Sequence, residues 1–317
     1  LPIVPLLVQS IIDAPSIDAM RALIALSRDN LVRSALITAG APNAVLHVCE
    51  TASSDKELLS ASFQALAVLS RDSVGARDIV GSAGLRFVCD YISETLYGSS
   101  LASINDAVIV LSSLASSAHP TQLIQGGVID LLNEILDTMI TQPASPSTLS
   151  TVIAIIGQMA ADPSAADRIV QSDLVSKLLR LLQSKPEYLD DDELVAAFSR
   201  MAEVLAAHPA ALQLLNSMSA HELLLKAMNA HPSNVELLKQ VANTVGILYG
   251  GQGLGVAGFL KQLDSTLAAL QSSGSAAVIQ QLNQLLNLVS NLMLLDGAID
   301  QATANQLIQT LGRAIAI

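Results

Sequence analysis

Gly253-Leu-Gly-Val-Ala-Gly258 satisfies G-x-G-x-x-G letter for letter. That pattern holds a dinucleotide where it links a strand to a helix, so that the helix N-terminus faces pyrophosphate, with an acid about 20 residues on. Here a helical stretch, Val235–Tyr249, precedes it, no strand pattern occurs anywhere, and Asp264 comes too soon. The segment reads as a corner between helices. His221-Glu222 lacks the second histidine of a zinc-binding H-E-x-x-H, because Leu225 stands there. His119, His208 and His231 each precede a proline at a helix boundary, and repetition explains two of them better than catalysis does. Asp190-Asp-Asp-Glu193 has carboxylates enough for a cation, but acids that open a helix also interact favourably with its dipole, so the run reads as a helix start. Cys49 and Cys89 fit no metal-ligand spacing and lie in apolar runs, VLHVCE and LRFVCDY, as buried thiols do. No G-x-S-x-G, phosphate-binding loop or Cys–His pair is present. The expectation is a protein that is not an enzyme and uses no cofactor or metal.

Composition sets the elements that carry these residues. Charged residues make up 14% of the 317, against roughly 25% in ordinary soluble domains, and apolar residues make up 51%. Aromatics are 3% and Trp is absent, which suits closely packed helices rather than sheets. The most apolar stretches, Val152–Ala161 and Leu285–Leu295, are short and carry Gln158, Asn287 and Asn291, so no membrane span is expected. The start, Leu1-Pro-Ile-Val-Pro, has neither a basic leader nor a Met and reads as a beginning inside a longer protein. A net charge of −12 argues against nucleic acid. Between Arg86 and Arg168 there are eight acids and no Lys or Arg. This 87–167 stretch reads either as solvated helix ends or as a docking surface for a basic segment, centred on Asp130, Glu134 and Asp137. Two cysteines and no Asn-x-Ser/Thr acceptor point to an intracellular, cytoplasmic protein.

A repeat organises the chain. Leu26, Leu69, Leu114, Met159, Leu205, Leu248 and Leu292 end successive long apolar-periodic helices at intervals of 43, 45, 45, 46, 43 and 44 residues. A period in this range marks an α-solenoid of two- or three-helix repeats. The best-formed repeat, 53–95, reads as a long helix, a short helix, a small-residue turn and a third helix. Small residues mark the last corner at Ala39-Gly40, Ala83-Gly84 and Gly126-Gly127, where Gly gives φ > 0 or close backbone approach. Later repeats have Ser172-Asp173 and Met218-Ser219 there, read as side-chain N-caps. Pro120, Pro163 and Pro209 fit the first position of short helices. Thr141–Ser147 and Ser184–Asp192 read as inter-repeat loops.

ELLSASFQALAVLSRD–SVGARDIVGSAGLRFVCDYI and INDAVIVLSSLASSAHPTQLIQGGVIDLLNEIL resemble the armadillo repeat, most strongly over 17–185 and less beyond 250. HEAT repeats are the alternative, and the glycine corner favours armadillo. The resemblance implies one all-α, right-handed superhelical solenoid of about seven three-helix repeats spanning 1–317. The repeats divide at 1–13 (partial), 14–53, 54–99, 100–143, 144–189, 190–232, 233–273 and a degenerate cap, 274–317. Ile3–Ile12 matches the last helix of a repeat, so more chain or a partner should cover it.

The family grips extended peptides with a Trp and an Asn near the end of each long helix. Its pattern puts Arg21, Gln64, Ile109, Ala154, Arg200, Asn243 and Asn287 at the Trp position. It puts Ala25, Val68, Ser113, Gln158, Val204, Ile247 and Asn291 at the Asn position. Only Asn291 keeps the Asn and no Trp survives, which argues against an Asn-ladder peptide groove. The resemblance then implies a protein-interaction scaffold within a larger hetero-complex, with a cytoskeletal or ciliary role as one analogy. Its partner is either a helix in the concave groove, touching Arg21, Gln64, Ser113, Gln158, Arg200, Asn243, Asn287 and Asn291, or the basic segment above. A chaperone exchange factor and a transport adaptor reading a short linear motif are the other roles the family implies.

Overall fold

A computed structural model describes residues 3–250 apart from 53, 54, 82, 99–103, 118, 119, 143, 232 and 233, together with residue 309. The G-x-G-x-x-G segment, Asn287, Asn291, His119 and the 274–317 cap, residue 309 apart, lie outside the described residues. Among the described residues the chain is all-helical, with no strand. It divides into two compact units, Leu1–Ala165 and Ala166–Ile317.

The first unit contains α1 (Ile3–Asp13), α2 (Ile17–Leu26), α3 (Asn30–Thr38), α4 (Ala41–Thr51), α5 (Lys56–Leu69) and α6 (Ser73–Gly81). It continues with α7 (Gly84–Gly98), α8 (Asn105–Ser117), α9 (Pro120–Gln125), α10 (Val128–Thr141) and α11 (Pro146–Ala160). The long helices α2, α5, α8 and α11 pack each on the next. Of the third helices, α1 packs on α4 and α7 on α10, while α4 and α7 lean against α5 and α8. The apolar stripes explain this. Leu58, Ala61, Leu66 and Leu69 of α5 and Val108, Leu111 and Leu114 of α8 recur at helical spacing and are buried. Phe63 stacks on Tyr91 at 4.3 Å and on Phe87 at 6.2 Å between centroids, which fixes α5 to α7.

The unit boundary falls within α12 (Pro163–Gln171). The second unit then has α13 (Leu174–Ser184), a 3₁₀ turn at Pro186–Asp190, α14 (Asp192–Ala206), α15 (Pro209–Ser217), α16 (Ala220–Ala230) and α17 (Val235–Gly250). Here α14 packs on α15 and α17, and α16 on α15, α17 and α13. The 184–192 segment, expected as a plain loop, is a packed element: Tyr188 and Leu189 are buried. Two apolar side chains in an acidic turn were enough to fold it inward.

Helix starts follow capping chemistry. Asp29, Asp55 and Asp191 accept from backbone N–H groups of the first turns of α3, α5 and α14 at 2.8–3.1 Å. Pro120, Pro163 and Pro209 open α9, α12 and α15, where no hydrogen bond is lost.

The corners before α4, α7, α10, α13 and α16 share one backbone conformation. Gly40, Ala83, Gly127, Asp173 and Ser219 have φ of +85°, +61°, +76°, +62° and +54°. This corrects the capping expectation for the later repeats. Neither Asp173 nor Ser219 makes a side-chain cap bond; each does what a glycine does, turning the chain through the left-handed region. The Asp173 carboxylate instead lies 3.9 Å from Arg180. At the second corner the two roles of glycine separate: Ala83 supplies the angle and Gly84 the close approach. A Cβ on Gly84 would meet Ile79 O at 2.6 Å and Leu46 Cδ1 at 2.9 Å.

Candidate partner-binding surfaces

The long helices of the first unit present a mixed face. Ala25 is exposed, whereas Val68, Ile109 and Ala154 are half-buried and neither fill the core nor stand free in water. Beside them several polar groups are already engaged. Gln64 donates from Nε2 to Asp106 Oδ2 at 3.2 Å, one repeat on. Ser113 Oγ donates to Ile109 O of its own helix at 3.2 Å. Arg21 is exposed and its guanidinium lies 4.0 Å from Asp18. It borders an open pocket of about 360 Å³ lined also by Ser16, Asp55 and Glu57. Gln158 is half-buried, and its Oε1 is buried with no hydrogen-bond partner.

In the second unit, Arg200 is exposed on α14, and Val204 and Ile247 are half-buried. Asn243 is exposed and bonds from Nδ2 to Glu203 Oε1 at 3.0 Å; the buried Thr244 hydroxyl reaches the same oxygen at 2.9 Å.

The acidic residues divide by role. Asp162 caps α12, accepting from Ser164 N and Ala165 N. Asp106 takes the Gln64 amide. On the third helices, Asp90 and Glu94 of α7 and Asp130 and Asp137 of α10 are exposed. Glu134 is half-buried and accepts from Ser93 Oγ of α7 at 2.7 Å. Arg86, the one base on α7 and α10, lies 3.7 Å from Asp90. The first unit therefore carries a two-helix acidic face, held together by the Ser93–Glu134 bond.

The thiols are inert. Burial pushes both Cys49 and Cys89 up to about 12, so neither is a thiolate at neutral pH. Among the described residues no group of three or more His, Cys, Asp or Glu is placed to hold a metal, and no helix is long and apolar enough to cross a membrane.

A cluster that residue-by-residue inspection missed ties the second unit together. His231, at the end of α16, is buried; its Nδ1 pairs with Asp192 Oδ1, and Nε2 lies 2.7 Å from Leu189 O. Asp192 Oδ2 accepts from Asn234 Nδ2 at 2.6 Å, and Asn234 Oδ1 caps Leu237 N at 3.1 Å. The available signal was spacing. Polar ties recur at separations of 41 to 44 residues, close to the sequence period, in Gln64–Asp106, Ser93–Glu134, Asn105–Thr148, Asp192–Asn234 and Ala196–Gln240.

The chain matches no protein-family model, and no curated protein is significantly similar to it.

Proposed function

We propose that this chain is a non-enzymatic protein-interaction scaffold of the armadillo type, and that its main docking surface is the acidic α7–α10 face of the first unit. The observation that carries this reading is the exposure of Asp90, Glu94, Asp130 and Asp137 on two packed helices whose one base is Arg86. A basic segment laid across them would exchange loosely held water and counterions for ion pairs. The groups that first drew attention as chemistry support the same conclusion. Asp191 is a cap, His231 a structural tie, and both thiols are buried. As a subunit of a larger intracellular assembly, cytoskeletal or ciliary, it would use the remaining faces for further contacts.

The test is direct. Crosslinking mass spectrometry on the native complex should place a Lys/Arg-rich partner segment near α7 and α10. Charge reversal at Asp130, Glu134 and Asp137 should weaken that binding, and added salt should mimic it. Binding indifferent to both changes overturns the reading.

A second reading has its own support. The half-buried Val68, Ile109 and Ala154 and the unpartnered Gln158 Oε1 suit an amphipathic helix laid along the long helices. Binding by that route would be lost in Ile109→Asp and would persist in the α10 charge reversals.

A further inference from the structure

One imidazole of the second unit is enclosed between two acceptors from other elements. The His231 ring is 9% exposed, with Nε2 on Leu189 O and Nδ1 on Asp192 Oδ1. A carbonyl oxygen and an ionised carboxylate can only accept, and a neutral imidazole has a single N–H to give. Both contacts are hydrogen bonds only when ring and carboxylate together hold one proton more than a neutral imidazole and a carboxylate would. Asp192 cannot readily turn away, because its other oxygen takes the Asn234 amide at 2.6 Å.

We propose that His231 is a proton-operated latch. With both ring nitrogens protonated it fastens the 3₁₀ turn and the start of α14 to the end of α16. When one proton leaves, a ring lone pair opposes either Leu189 O or Asp192 Oδ1 in a site with little water, and that tie opens. The latch is therefore closed where the ring holds both protons, at the lower pH, and open where it has lost one, at the higher. The released segment is the acidic turn carrying Glu187 and Asp190, whose position the latch therefore makes dependent on protons. Among the described residues Asp192 is the ionisable group in contact with the ring. Glu187, Asp190, Glu193, Lys226 and Glu236 are the further charged groups on the elements packed around it. His221, on the same helix, also titrates, and burial favours its neutral form. Global stability would mix the two, so the readout must be local.

Amide exchange on the deuterated, ¹⁵N-labelled full chain, corrected for intrinsic rates, supplies that readout. Protection at Tyr188, Asp191 and Asn234 should fall by roughly tenfold as the pH is raised and the ring loses its second proton, the worth of one lost hydrogen bond. His231→Gln keeps a donor that does not titrate, and should abolish the pH dependence; His221→Gln should retain it. Side-chain ¹⁵N spectra should find hydrogens on both ring nitrogens of His231 at the lower pH. Protection independent of pH in the wild type, or an equal fall in His231→Gln, would overturn the proposal.

Discussion

Glu203 of α14 accepts the buried Thr244 hydroxyl of α17 at 2.9 Å, and the same oxygen takes the Asn243 amide at 3.0 Å. Thr244 has a fallback, since its hydroxyl also lies 3.0 Å from Gln240 O in its own helix. Removing the carboxylate therefore does not strand a buried donor. Glu203→Ala should cost about 1 kcal/mol, and Asn243→Ala less, because Asn243 is exposed. Urea unfolding of single and double variants measures both; a loss above about 3 kcal/mol for Glu203→Ala would mean that Thr244 cannot fall back.

The five left-handed corners allow a signed set of substitutions. Ala83→Gly should stabilise by about 1 kcal/mol, since the side chain pays for an angle glycine adopts freely. Gly40→Ala and Gly127→Ala should each cost about 1 kcal/mol through φ alone, for their added Cβ atoms meet nothing within 4 Å. Gly84→Ala should cost more, about 2–3 kcal/mol, by driving a methyl into the Ile79 carbonyl and Leu46. Thermal and urea midpoints order the four.

The two thiols give the chain an alkaline weakness. Unfolded, each ionises near pH 8.5; folded, each keeps its proton to about 12. The native state thus binds more protons across that window, and stability falls as pH rises through it. Between pH 8 and pH 10 the wild type should lose about 4 kcal/mol relative to Cys49→Ala/Cys89→Ala. Parallel pH profiles would show that the thiols ionise without unfolding. At pH 8 a thiol reagent should label the native protein only at its rate of opening.

Phe63→Ala removes a ring that is 1% exposed and stacked on Tyr91, and should cost about 3–5 kcal/mol. Phe63→Leu keeps most of the volume and should lose less, though it removes the stacking. Near-UV circular dichroism would report the Tyr91 environment in each.

Helix content and phase were legible because apolar spacing and proline positions act locally: α5, α6 and α7 fall where the 53–95 repeat placed them. Chemistry that depends on backbone geometry was not legible. A serine or aspartate before a helix reads as a cap, yet Asp173 and Ser219 turn the chain instead, and no residue type signals that choice. The His231 cluster was hidden for a different reason. Its partners lie some 40 residues away, so each looks like an ordinary boundary residue until the repeat is folded. Gln64 and Asn243, expected as groove residues, tie one long helix to another, a competing use that composition cannot reveal.

The shared corner has a consequence for how such a chain can drift. The demand at Gly40, Ala83, Gly127, Asp173 and Ser219 is for a dihedral angle, which four residue types meet here at a cost of about 1 kcal/mol or less apiece. Mutation can therefore erase the glycine signature one corner at a time while leaving the path of the backbone intact. At these five corners the torsion angle is held in common where the letter is not.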